Sequence, residues 1–198
     1  MPNEEQMSEL LYQALETEMG GVQVYETAVQ CAVNDELEKE WQEYLEQTRR
    51  HVQIVTDVLE KVGLDPNVET SGRQVVRGKA EALVTSMRMA QSDGDPAAAQ
   101  LVAAEAVVNA ETKDHQNWEL IGLLAEELKG DTAKALKEAH QEVEEEEDEH
   151  LYHTMGWARE LWIESLGLRA VLPPPEEEKD VKTAIGAARA KLARKKML

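Results

Sequence analysis

Late in the chain stands Glu147-Asp148-Glu149-His150, a carboxylate and an imidazole three residues apart. On a helix these two positions share a face, so both side chains reach toward one point. His51 follows Thr48 at the same spacing, with a hydroxyl in place of the acid, and Glu18 and Glu111 interrupt two otherwise apolar periodic runs. A carboxylate among apolar neighbours is costly unless it is paired or binds a cation, and several at one level repel one another. Divalent cations relieve both problems. The lone Cys31 and the absence of any Cys-x-x-Cys pair leave carboxylate and imidazole as donors, a mixture that suits iron or manganese better than softer metals. Asp114, on the same face as Glu111, is a further oxygen donor. Gln47, one turn before His51, and His115 are the other neighbours placed to offset the acid missing at Thr48.

Helices must position these residues. Gly63 and Pro66, Ser71-Gly72, Asp93-Gly94-Asp95-Pro96, Gly130-Asp131, Gly167 and Pro173 to Pro175 cut the chain into long runs of helix formers, and nothing alternates with the period of a strand. The expected class is all-α, with helices over about 4–33, 35–62, 73–91, 97–129, 132–166 and 179–195. Pro96 suits a first helical turn, and Gly130 is expected to stop one helix before Asp131 caps the next. Four helices carry a stripe at spacing three and four that is apolar at both ends and polar in the middle, as in Leu11, Leu15, Glu18, Val22 and Tyr25, or Leu136, His140, Val143, Glu147, His150 and Thr154. Short connections near Asn34 and Gly130 make two antiparallel hairpins, in which residues equally far from the turn share a height. Glu18 lies 16 residues before Asn34, and the middle of Thr48 and His51 about 16 after it. Glu111 lies 19 before Gly130, and Glu147 and His150 lie 17 and 20 after it. The polar interruptions therefore meet. Residues 63–96, with a helix of their own, are long enough to cross from one hairpin to the other, which gives a four-helix bundle over 1–170 with one long crossover.

The 198 residues hold 21 Lys and Arg against 40 Asp and Glu, a formal charge of −19, with 42% hydrophobic residues and no Phe. Leu, Val, Ala and a few Trp and Tyr must build the core, and they suffice for one domain. So acidic a body is expected not to grip nucleic-acid phosphates or an anionic membrane. No apolar run reaches the ~20 residues of a membrane span, and MPNEEQMSEL is too acidic for a signal peptide, so a cytoplasmic protein is expected. The end of the chain has the opposite sign: after the Pro-rich linker, residues 181–198 carry six basic side chains and no acid. A basic tail helix within 171–198 is expected to dock on the acidic body of its own or a neighbouring subunit, with nucleic acid, membrane or another protein as competing partners. Its stripe of Val181, Ile185, Ala188 and Leu192 is thin for membrane insertion.

At these residues the chain resembles the ferritin-like superfamily. Di-iron and di-manganese bundles take one Glu from each of two helices and Glu-x-x-His from each of two others. Glu18, Glu111 and the pair Glu147 and His150 fill three of these parts, and His51 fills half of the fourth, where Thr48 replaces the Glu. Glu18 and Tyr25 in ALETEMGGVQVYETA are similar to the first-helix Glu and Tyr of rubrerythrins, a spacing repeated by Glu111 and Trp118 in NAETKDHQNWELIG. EYLEQTRRHVQIVTDVLEKVGLDP, AETKDHQNWELIGLLAEELKG and the acidic last helix look like bacterial ferritin-like stress proteins of the YciE/YciF type, a likeness that spans about residues 8–165. What the resemblance implies is a ferritin-like bundle, as a homodimer or higher homo-oligomer, holding a dinuclear iron or manganese centre. Its ligands would come from Glu18, His51, Glu111, Asp114, Glu147 and His150, with Glu18 and Glu111 terminal or bridging. It further implies oxidase, peroxidase or iron-oxidising chemistry on dioxygen or peroxide. Without a rubredoxin module the electrons must come from an external reductant. The loss of an acid at Thr48 leaves open one ion or two weakly held.

Each residue also has a plainer role. Glu18 and Glu111 can be satisfied by Tyr or Trp donors and the histidines by carboxylates, which describes a metal-free helical interaction or scaffold protein. Seven acids crowd residues 142–149, so a Glu-x-x-His there carries weight only through its stripe position and matched height. Glu142, Glu144, Glu145, Asp148 and Glu149 are expected on a solvated face, offset in part by Arg49 and Arg50; His140 and His153 at the stripe edges; and Cys31 as packing.

Overall fold

Local signals start the helices. In the computed structural model, which describes residues 2–168, Asn3, Asn34, Thr70 and Asp95 offer side-chain oxygens to the first free N–H groups of α1 (Glu4–Cys31), α2 (Asp35–Lys61), α3 (Ser71–Ser92) and α4 (Pro96–Glu127). The expected linker and tail helix of 171–198 lie outside the described residues. The start of α5 (Gly130–Ser165) corrects the expectation at Gly130: α4 ends at Glu127, Lys129 is an N-cap without a side-chain bond, and Asp131 lies in the first turn rather than capping it. Only Leu128 and Lys129 separate the two helices, and so tight a reversal uses the φ of 78° that Gly130 adopts without steric cost. In the first turn the Asp131 charge still favours the helix dipole.

Side-chain pairs fix the directions. Glu26 meets Arg49 and Glu18 meets His51, so α1 and α2 are antiparallel. Glu40 meets Trp157 and Arg50 meets Glu146, so α2 and α5 are antiparallel, as are α4 and α5 through Glu105 with Trp162 and His115 with Asp148. The crossover helix α3 runs parallel to α1, since Glu9 meets Thr70, Glu16 meets Arg73 and Gly20 faces Ala80. Thus α1 and α5 point one way and α2 and α4 the other, with α3 returning the chain so that the second hairpin can enter.

The crossover is anchored by a buried ion cluster. Glu16 accepts from Arg73 at 2.9 Å and from Arg77 at 2.7 Å, while Arg73 Nη1 also donates to the carbonyls of Pro66 and Val68, closing the loop onto α1. Above it, α1 and α3 approach closely: a Cβ on Gly20 would lie 2.7 Å from the Ala80 Cβ. Gly20→Val is therefore expected to cost about 1–3 kcal/mol, read as a lower thermal midpoint with helical content retained.

Two apolar clusters fill the bundle. One joins Val24, Ala28, Leu37, Trp41, Met87, Ala103 and Val107, and the other Leu11, Leu15, Val55, Leu59, Trp118, Ile121, Leu136 and Val143. Cys31 packs in the first, as expected. Between the clusters lies a buried polar layer of Glu18, Thr48, His51, Glu111, Asp114, Glu147 and His150.

Candidate metal centre

One residue stands at the centre of this layer. Glu147 Oε1 lies 3.0 Å from His51 Nδ1 and 3.5 Å from His150 Nδ1. His51 Nδ1 is also 3.7 Å from Glu18 Oε2, and His150 Nδ1 is 3.6 Å from Glu111 Oε2. Two groups result, Glu18–His51–Glu147 and Glu111–His150–Glu147; within each, one ligand atom per residue lies within 4.8 Å of the others, and Glu147 belongs to both. The two imidazoles stack with ring centroids 5.7 Å apart.

The outer atoms of these side chains are occupied, whereas most of the inner ones make no hydrogen bond. His51 Nε2 is 2.8 Å from Glu146 Oε2, and His150 Nε2 donates to Gln47 Oε1 at 2.7 Å, an amide oxygen that can only accept. Both Nδ1 atoms are thereby turned toward the carboxylates. Trp118 Nε1 donates to Glu18 Oε1 at 2.8 Å, so the Trp donor satisfies one oxygen of this acid and leaves the other. Glu18 Oε2, Glu111 Oε2, Asp114 Oδ1, Glu147 Oε2 and His150 Nδ1 are buried without a hydrogen bond, and His51 Nδ1 faces only the carboxylates of Glu147 and Glu18. Burying such groups unsatisfied is costly, and their convergence is what a cation would relieve.

Electrostatics follow from the crowding. Burial, with Glu18 as the main repulsive neighbour, pushes the Glu111 carboxyl up to about 8. Burial and the Glu111 charge push Glu147 up to about 7. Burial, with the charges of Glu18, Glu147 and Glu111, also raises Asp114 well above its usual range. The histidines split: burial draws His150 down to about 4, whereas at His51 burial is outweighed by bonds to Glu146, Glu147 and Glu18, which lift it to about 12.

Asp114 is buried and feels the same carboxylates, but belongs to neither three-residue group. His115 turns aside to Asp148 at 2.9 Å and rests against Tyr152, so Asp148 is a partner and not simply part of a solvated face. Thr48 contributes nothing to the donor set: its hydroxyl donates to the Tyr44 carbonyl and its methyl packs where Gly21 leaves space. Tyr25 is buried beside Glu111, its ring edge-to-face with that of His150 and the centroids 5.9 Å apart. His140 stays near the surface with Glu144.

Sequence reasoning missed two features. Glu146, one more acid in the run, holds His51 and is itself held by Arg50; nothing in composition separates it from its neighbours, although it sits four residues before His150. The second is a buried network beside the centre. Glu40 accepts from Tyr44 at 2.7 Å and from Trp157 at 3.0 Å, with His153 Nδ1 at 3.0 Å, so His153 is buried rather than at the edge. These three hydrogen bonds overcome the cost of burial and hold the Glu40 carboxyl down at about 2. The Tyr44 ring lies 4.4 Å from that of His150, which ties the network to the centre. The Glu40 to Tyr44 spacing of one turn was its only sequence signal.

Comparison of the chain with protein-family models, with curated proteins and with solved structures finds no match.

Proposed function

We propose that the protein is a ferritin-like dinuclear metal carboxylate protein that binds two iron or manganese ions. On this reading it acts in stress defence on dioxygen or peroxide, with an external reductant and Fe(II) oxidation as the simplest version of the chemistry. The observation that carries the reading is the convergence of buried carboxylate and imidazole atoms from four helices, arranged as two groups that share Glu147, with an oxygen on each of Glu18, Glu111 and Glu147 left without a hydrogen bond. The helix directions support it, because two antiparallel hairpins joined by one crossover are the arrangement of ferritin-like bundles.

Glu18, His51 and Glu147 would hold one ion and Glu111, His150 and Glu147 the other, with the buried carboxyl of Asp114 beside them. When bound, such a metal pair supplies electrons to an oxygen species and changes oxidation state. The chain supplies the rest. Trp118 fixes the orientation of Glu18, while Glu146 and Gln47 fix the two imidazoles. The apolar clusters on either side exclude water from the layer. The metal-free scaffold reading accounts for the outer hydrogen bonds and for the pairing of His51 with Glu147, but leaves the inner oxygens of Glu18, Glu111 and Glu147 without a hydrogen bond.

Elemental analysis of protein purified without chelator, then of protein reconstituted anaerobically with Fe(II) or Mn(II), is the direct test. The expected result is up to two ions per chain. No bound metal and none taken up on reconstitution would leave the scaffold reading in its place.

A further inference from the structure

We propose that the two ion positions are unequal and load in order, the His51 position first, because a carboxylate stands behind His51 and a neutral amide behind His150. The inference rests on the metal reading above and adds which residues set the order.

A ligating imidazole becomes a stronger donor when its other N–H is given to a strong acceptor. Behind His51 that acceptor is Glu146 at 2.8 Å, and Arg50 donates to both oxygens of the same carboxylate, which fixes its orientation. Behind His150 it is the Gln47 amide at 2.7 Å. Hydrogen bonds to an ionised acceptor are roughly twice as strong as neutral ones, so the two rings differ as donors although their distances match. The shared ligand leans the same way, with Glu147 Oε1 3.0 Å from His51 Nδ1 against 3.5 Å from His150 Nδ1. Once one ion holds Glu147, a second must share that carboxylate and face a like charge. The acid that could have offset this is missing, since Thr48 turns its hydroxyl to the backbone.

The test is an anaerobic titration of metal-free, full-length protein with Co(II), followed by calorimetry and by the visible bands of the bound ion. Wild type is expected to bind in two steps separated by about tenfold or more. Glu146→Gln should weaken the first step by about 10–100-fold and leave the second. Gln47→Glu should strengthen the second step and bring the two together. His150→Ala should keep one tight equivalent, and His51→Ala only a weak one; these variants carry the test if Glu146→Gln does not fold. Two ions entering wild type with equal affinity, a weakened second step in Glu146→Gln, or an unchanged second step in Gln47→Glu would each overturn the order proposed here while leaving the metal reading intact. Failure of wild type to bind any ion would overturn both.

Discussion

Replacing Glu147 by alanine is expected to empty both ion positions at once, whereas Glu18→Ala or Glu111→Ala is expected to spare one. The difference follows from membership: Glu147 is common to the two groups, while Glu18 and Glu111 each serve one. No neighbour can stand in for it, because Thr48 presents no oxygen to the layer and Asp114 lies outside both groups. Metal per chain, measured after reconstitution, should fall from two ions to none in Glu147→Ala. Glu147→Gln, which keeps the side-chain volume, separates loss of the ligand charge from loss of packing and should also fail to hold two ions. Retention of full metal content by both variants would mean that the shared ligand has been wrongly identified.

Without metal, the folded chain is expected to lose stability as pH rises from about 6.5 to 8, and bound metal is expected to remove that dependence. Glu111 at about 8 and Glu147 at about 7 keep protons in the folded state that the unfolded chain gives up in the ordinary carboxyl range. A carboxyl raised in this way contributes less as pH climbs toward its folded value. His51, lifted to about 12, works in the same direction above the usual imidazole range. Each proton held by the folded chain alone lowers the unfolding free energy by about 1.4 kcal/mol per pH unit. At lower pH the trend is opposed: His150, drawn down to about 4, loses its contribution as pH falls below the ordinary imidazole range, and Glu40, at about 2, does so below the ordinary carboxyl range. The window above 6.5 is therefore where the sign is clean. Urea unfolding of metal-free and metal-loaded protein at pH 6.5 and 8 reads the effect; equal midpoints at the two pH values in the metal-free protein would show that the buried acids do not carry these protons. Glu147→Gln should flatten the same dependence while abolishing dinuclear binding, so one substitution is expected to gain metal-free stability and lose the site.

Much of the architecture is legible in the residues themselves. The Gly and Pro positions divide the chain into most of its helices, Pro96 sits at a first turn, and the polar interruption of each stripe gives a height along the bundle that the hairpin turns carry from one helix to the next. Glu18, His51, Glu111, Glu147 and His150 do meet at that height. The start of α5 differs from the expectation because the helix begins at Gly130, behind Lys129, whose ammonium side chain has no acceptor to offer the free N–H groups, so that Asp131 falls within the first turn.

Periodicity assigns a residue to a broad face and to a level within about a turn. The sequence alone thus determines an all-helical chain, a polar layer between two apolar ends, and a donor set of carboxylates and imidazoles. It does not determine what each atom meets, because that depends on the neighbouring helix and its rotation. Only the tertiary structure makes Glu147 the shared carboxylate, places Glu146 and Gln47 behind the two imidazoles, sends His115 to Asp148, and buries His153 against Glu40. The physical reason is that a ligand set is a matter of ångströms between atoms on different helices. Those distances are fixed by packing across the bundle, and the spacing along any one helix does not contain them.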